Sequence, residues 1–437
     1  MTKKTQIVIV GGGAAGLVLA VKLGARYGRK KHDIILIDRN RTHVWKPLLH
    51  EVAAGSLDAN LDEVGYRSHG HRWGYRYFHG TVRAIDTAAR QVEIAPLVDE
   101  DGRELMEAHT VRYDHLVLAM GSVTNDFDTP GVREHCLSLD DRDQADRFRS
   151  RLLNHCLRVS RRMMRDPHDT ERVRIAIVGG GATGVELAAE LYNAADALAH
   201  YGLEVFDRTR LEVTLVEAGP RILPALPERL AGAAQRELEK LGVRVVTGVA
   251  VTAVTPDAML LETGERIAAE LKVWAAGVKG APLAGGAADG LERTRGGQFI
   301  VDAFLRTSDP RVFAMGDCAC YRPEGGAVPV PPRAQAAHQM AAATFDNLVR
   351  LQSARPLKPF TYRDRGSLVS LSRYSTVGSM MGALVGGQLA IEGRLARFVY
   401  MSLYRMHLIA IHGWLKGVAL IAVGRVHAII RPKLKLH

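Results

Sequence analysis

The chain has 437 residues, of which 47% are hydrophobic, and carries a formal charge of +11 from 58 Lys and Arg against 47 Asp and Glu. That length buries more than one core and implies two or three domains, while the charge calls for an acidic partner without choosing among phospholipid, nucleotide and nucleic acid. Cys136, Cys156, Cys318 and Cys320 are too few and too irregular for a disulfide framework or a zinc site, which points to a reducing compartment.

The first strand, Gln6 to Val10, follows Met1 closely, so no cleavable signal peptide is expected and the bulk of the protein is expected on the cytoplasmic side of any membrane. "IVIVGGGAAGLVLAVKL" then reads as strand, glycine turn and helix, and "HDIILID" as a second strand ending at Asp38. In such a βαβ unit Gly11 allows the tight turn, Gly13 lets the backbone approach a pyrophosphate and Gly16 lets the helix pack on the strand. Asp38 lies 22 residues after Gly16 (38 minus 16), where a carboxylate accepts from ribose hydroxyls. His69, His71 and His79 in "SHGHRWGYRYFHG" lack partners at metal spacing and read as a basic surface loop; no metal site is expected.

"YDHLVLAMGS", with Gly121, and "LKVWAAGV", with Gly277, read as buried strands broken by a small residue and glycine, suited to crossings between domains near a cofactor. Between them the same grammar returns in "RIAIVGGGATGVELAAEL", with Gly179, Gly181 and Gly184, followed by "EVTLVEAG" ending at Glu217. Two fingerprints mean two dinucleotides. A carboxylate at Glu217 repels a 2'-phosphate and favours NADH over NADPH, with Arg221 tempering the preference. Glu186 falls at the start of the second helix, where the dipole favours any acid. In "RVFAMGDCA", Asp317 either caps a turn or accepts hydroxyls from a flavin's ribityl chain, and Pro331 and Pro332 are expected in the first turn of the helix that follows.

The C-terminal stretch has no acid after Glu392 and eight basic side chains: Arg394, Arg397, Arg405, Lys416, Arg425, Arg431, Lys433 and Lys435. On a helical wheel Arg394, Arg405, His412 and Lys416 share one face and Leu403, Ile411, Trp414, Val418 and Ile421 the opposite one. The uncharged run from Met406 to Leu415 is too short to span a bilayer, so the pattern predicts an interfacial segment on anionic lipid, broken near Gly424. Packing on the body of the protein or a homodimer seam is the competing use of that segment.

In their order, "HVWKPLLHEVAAG", "YDHLVLAMGS", "GGGATGVELAAEL", "VWAAGV", "FAMGDCA" and "PPRAQAAHQ" resemble the two-dinucleotide-binding flavoproteins and, within them, the type II NADH dehydrogenases. The resemblance implies an α/β fold of two Rossmann-like domains: an FAD domain over 1–120 and 285–345, an NADH domain over 121–284 and a membrane-docking region over 346–437. It implies FAD as cofactor and NADH as substrate, with two electrons passing to a membrane quinone without proton pumping, at the cytoplasmic face of the inner membrane. By the same resemblance Gln335 and Gln339 lie beside the flavin and the quinone, Glu186 lies where nicotinamide, flavin and quinone meet, and Trp45 takes the place of another aromatic near the flavin.

Disulfide reductases of that superfamily carry a cysteine pair soon after the first acid, and Arg41 to Gly55 contains no cysteine. A sulfide:quinone oxidoreductase, which needs flavin-side cysteines, and a membrane-docked NADH-responsive binding protein are the alternatives. Nucleic-acid binding fits the charge but finds no recognised module.

Overall fold

A computed structural model describes residues 4–58, 63–198, 206–285, 287–288, 290–326, 328–371, 375–381, 388–392 and 404–430. The chain divides into two compact units: residues 1–45, 62–123 and 278–364 form the first, and 46–61, 124–277 and 365–437 the second. The sequence reading places 46–61 with the first fingerprint and 346–437 in a region of its own. Instead the helix α2 (Leu49–Ala54) packs on helices of the second unit, and the strand Gly366–Leu371 packs there as well.

The first unit is built on a five-stranded parallel sheet in which Thr5–Val10 lies between His32–Asp38 and His115–Leu118, with Arg76–His79 and Val312–Ala314 at the edges. Ile7, Val8, Ile9 and Ile34 to Ile37 are buried almost completely. Continuous apolar runs of this kind suit a parallel sheet covered on both faces. α1 (Gly16–Lys31) follows the first strand, and α3 (Tyr66–Trp73) packs beside it. His69 and His71 therefore sit on a helix and His79 ends a strand, which corrects the surface-loop reading. His69 is buried, its Nδ1 2.9 Å from the Tyr75 hydroxyl.

In the second unit a four-stranded parallel sheet runs in the order Arg244–Thr247, Leu211–Glu217, Val173–Val178, Leu271–Trp274. α4 (Arg142–Arg165) precedes it, capped by the Asp141 side chain, which accepts from the Gln144 amide. α5 (Ala182–Leu198) follows the second glycine turn and is buried along most of its length. Glu186 is its fifth residue, one turn further in than the sequence suggested, so the end of the helix dipole does not account for it.

Two further helices differ from expectation. α6 (Ala334–Gln352), in the first unit, begins after an extended Arg333, so Pro331 and Pro332 form its lead-in and not its first turn. The C-terminal stretch is helical over 404–412 and again in α7 (Trp414–Ile430), and the break falls at Gly413, whose φ of 80° leaves the helical region, while Gly424 lies inside α7. Ile411 is buried, whereas Trp414 and Val418 are exposed, so one wheel does not describe both helices. Arg394, Arg397, Leu403, Arg431, Lys433 and Lys435 lie outside the described residues.

Candidate functional site

Each unit carries a glycine turn closed by a carboxylate. Gly11 and Gly179 have φ of 99° and 110°, in the left-handed region that glycine tolerates. In the first turn the Gly12 amide donates to Asp38 Oδ2 at 2.6 Å and the Asn40 amide to Oδ1 at 2.7 Å. In the second the Gly180 amide donates to Glu217 Oε2 at 2.6 Å and the Gly219 amide to Oε1 at 2.7 Å. Burial pushes the Asp38 carboxyl above its ordinary value, against those two amides and Arg39. A Cβ on Gly13 or Gly181 would meet nothing within 4 Å, which leaves open space beside each turn. Gly16 and Gly184 stand at the starts of α1 and α5.

The first turn has two further anchors that sequence reasoning missed. The Gly12 carbonyl accepts from the Tyr66 hydroxyl at 2.8 Å and lies 2.9 Å from His43 Nδ1, both side chains being buried. A carbonyl only accepts, so His43 must carry its proton on Nδ1 here. In a planar trans peptide C=O and N–H point opposite ways. Holding the Gly12 carbonyl inward therefore aims the Gly13 amide outward, into the open space. The second turn uses the main chain for the same purpose: the Leu223 amide donates to the Gly180 carbonyl at 2.7 Å.

Elsewhere in the first unit, Ser122 Oγ donates to Asp317 Oδ2 at 2.8 Å and Gln298 Nε2 donates to the Asp317 carbonyl at 2.9 Å. Gly121 accepts from the Ala281 amide. Trp45 is nearly buried and meets His338 of α6 edge-on at 5.7 Å. Burial lowers the His338 pKa to about 4, with Lys22 adding to the effect. At the start of α6, Gln335 Nε2 donates to Asp364 Oδ1 at 3.0 Å, and Arg333 Nη1 to Asp364 Oδ2 at 3.4 Å. Gln339 uses both ends of its amide on Arg363, donating to the carbonyl at 2.9 Å and accepting from the main-chain amide at 3.0 Å.

In the second unit, Glu186 is buried with Oε1 accepting from the Ser370 amide at 3.0 Å and Oε2 3.6 Å from His50 Nδ1. His50 is buried as well, with Nε2 3.9 Å from Glu51 Oε1. Burial takes the His50 pKa down to about 4, opposed by the charge of Glu190 one turn beyond Glu186, so the ring is neutral near pH 7. Glu190 accepts from Asn193 Nδ2 at 2.7 Å. Arg221 donates to the carbonyls of Leu226 and Pro224. Gly277 accepts weakly from the Asn125 amide at 3.3 Å.

The thiols fit a packing role. Cys318 is buried, donates to the carbonyls of Leu118 and Met315 and is pushed up to about 11; Cys136 and Cys156 are pushed up to about 12 by burial, and Cys320 is half-buried.

Residues 5–341 match the family described as pyridine nucleotide-disulphide oxidoreductase. The chain is 44% identical over 444 residues to a type II NADH:quinone oxidoreductase of Haemophilus influenzae, covering 99% of this chain and 100% of the relative. A type II NADH:quinone oxidoreductase of Staphylococcus aureus is 28% identical over 89% of this chain and 92% of its own. Among solved structures, NDH2 from Plasmodium falciparum in complex with NADH shares the fold with a TM-score of 0.82 at 18% identity, covering 99% of this chain and 100% of that one. The sulfide:quinone oxidoreductase of Aquifex aeolicus has a TM-score of 0.69 at 18% identity, over 97% and 95%.

Proposed function

The chain belongs to the type II NADH:quinone oxidoreductases of the pyridine nucleotide-disulphide oxidoreductase family, and from that premise we propose how its residues serve the reaction. It is an FAD-dependent enzyme that passes two electrons from NADH to a quinone. FAD, when bound, supplies the chemistry that accepts a hydride and releases two electrons. The observation that carries the assignment of sites is the repeated geometry of Gly12 with Asp38 and Gly180 with Glu217.

The first unit holds FAD: the Gly13 amide takes the pyrophosphate, Asp38 the ribose, and Asp317, oriented by Ser122, the ribityl hydroxyls. Trp45 and Gly121 wall the flavin. Arg333 gives α6 no side-chain cap, so the first-turn amides are left to face the electron-rich end of the ring. Gln335 faces flavin and quinone, and Gln339, through its hold on Arg363, keeps that wall in shape.

The second unit holds NADH between Gly181 and Glu217, with Gly277 lining the nicotinamide end. Glu217 repels a 2'-phosphate, and Arg221, committed to main-chain carbonyls, gives that phosphate no partner. Glu186 handles protons for quinone reduction, with His50 as its buried neighbour. The enzyme works as a peripheral protein at the cytoplasmic face of the membrane, its C-terminal helices on anionic lipid. Among the described residues no helix is long and apolar enough to cross a membrane.

The test is steady-state turnover. NADH consumption by the purified protein should rise steeply on adding a quinone and should not respond to sulfide. Consumption indifferent to every quinone would favour the binding-protein reading.

A further inference from the structure

α4 carries seven arginines and no acid between Arg147 and Arg165. At 100° per residue Arg147, Arg151, Arg158, Arg161 and Arg165 fall within about 80° of one another, and all five are exposed. Asn154 fills the remaining place on that face. The stripe runs 18 residues (165 minus 147), or roughly 27 Å.

Other arginines of the same unit are neutralised: Arg162 by Asp169 and Glu171, Arg174 by Glu270, Arg208 by Asp196, Arg244 by Glu265 and Arg266 by Asp257. Among the described residues none of the five stripe arginines has an ion pair. Asp143 and Asp146 border the stripe only at its N-terminal end, where Asp146 is already engaged by Arg142 and Arg149. Like charges three and four residues apart destabilise a helix. The dipole favours cations in the last turn, which accounts for Arg165 but not for Arg147 and Arg151 in the first half.

We infer that this stripe is a docking surface for the phosphates of an anionic phospholipid membrane, separate from the C-terminal helices. Planar guanidinium groups pair with phosphate oxygens through two parallel hydrogen bonds. Leu157 and Met164, 42% and 72% exposed, flank the arginines on one side of the helix. Basic residues beside exposed apolar ones are the pattern of a helix lying in the headgroup layer. A nucleic acid would leave the apolar flank unused, and a second copy would set arginine against arginine. The inference rests on the reading that the enzyme works at a membrane.

The experiment is flotation of the full chain with phosphatidylcholine vesicles, with and without phosphatidylglycerol. Three proteins are compared: the unaltered chain, a variant with the five stripe arginines changed to Gln, and a charge-matched variant with the exposed Arg112, Arg236, Arg295, Arg311 and Arg322 changed to Gln. NADH oxidation with a water-soluble quinone, equal in all three, shows that each is folded. The stripe variant should partition at least ~10-fold less into anionic vesicles and the control far less affected, given the contribution of each basic side chain near such a surface. Equal losses in both variants would reduce the effect to net charge and overturn the stripe as a site. Loss of binding to a short RNA duplex with vesicle binding intact would overturn it in favour of nucleic acid. Failure of the unaltered chain to float with anionic vesicles would overturn the membrane reading itself, with the stripe.

Discussion

His50 Nδ1 lies 3.6 Å from Glu186 Oε2, and both side chains are buried in the second unit. The pair joins α2, a helix that follows the first fingerprint in sequence, to α5, which follows the second. Proton handling by a positioned carboxylate contributes a factor on the order of 100 or more. Glu186→Gln should therefore lower quinone-dependent turnover by about that factor while leaving the KM for NADH within about threefold. Single-turnover reduction by NADH, followed by reoxidation, shows which half is slowed; unchanged reoxidation would remove Glu186 from the proton path.

The pH dependence of stability follows from the same histidine. His50 has a pKa of about 4 when folded and 6.5 when unfolded. Between those values the unfolded chain binds the extra proton, so stability is full above about pH 6.5 and is lost as pH falls toward 4. The loss reaches up to about 3 kcal/mol by the shift alone. His50→Gln should flatten the fall of Tm between pH 6.5 and 4 relative to the unaltered protein, an effect that His338, lowered in the same direction, shares. Parallel curves for variant and parent would contradict it.

At the first fingerprint, Tyr66→Phe removes one of the two donors to the Gly12 carbonyl. A single hydrogen bond of about 1 kcal/mol corresponds to roughly fivefold in affinity. Flavin should be released more readily by that factor on dilution, read by its fluorescence, with KM for NADH unchanged. His43→Ala should weaken retention further. Undiminished flavin retention in both variants would show that the turn is held without them.

The role proposed for Glu217 is the choice of nicotinamide. Glu217→Ala removes the carboxylate that takes the Gly180 and Gly219 amides and should narrow the preference for NADH over NADPH in kcat/KM by roughly 10- to 100-fold. Because Arg221 is tied to carbonyls, the variant should gain little affinity for NADPH; most of the change should come from poorer NADH use. A large gain with NADPH would mean that Arg221 swings free.

Ending the chain after Arg397 removes the helices on either side of Gly413 and should weaken binding to anionic vesicles to what the α4 stripe alone supports, while preserving flavin reduction by NADH. Equal vesicle binding by both forms would assign the exposed Trp414, Leu415 and Val418 to another surface, a dimer seam among them.

What could be read from the sequence was local or periodic. The two glycine turns and the strand-end acids at Asp38 and Glu217 are set by spacing within a single βαβ unit, and the structure forms both. The arginine stripe of α4 is equally periodic in the sequence, but only the structure shows that its five arginines are exposed and, among the described residues, without ion pairs. His43 and Tyr66 were illegible because they reach Gly12 across 31 and 54 residues, and His50 reaches Glu186 across 136 (186 minus 50). No periodicity signals such a contact. Of the three glycines near the C-terminal break, only Gly413 leaves the helix, and nothing local separates it from Gly417 and Gly424: all three are glycines in helical sequence, and tertiary packing decides. Gly417 shows why, since a Cβ there would press on Ile409 of the preceding helix, so Gly417 serves the contact between the two helices.

The most direct measurement is an anaerobic absorbance trace of the purified yellow protein, with NADH added first and a short-chain quinone second. The flavin band should bleach on NADH and return on quinone, at rates no slower than steady-state turnover. A band that ignores NADH, or that bleaches with sulfide in its place, would contradict the assignment of the second fingerprint to NADH.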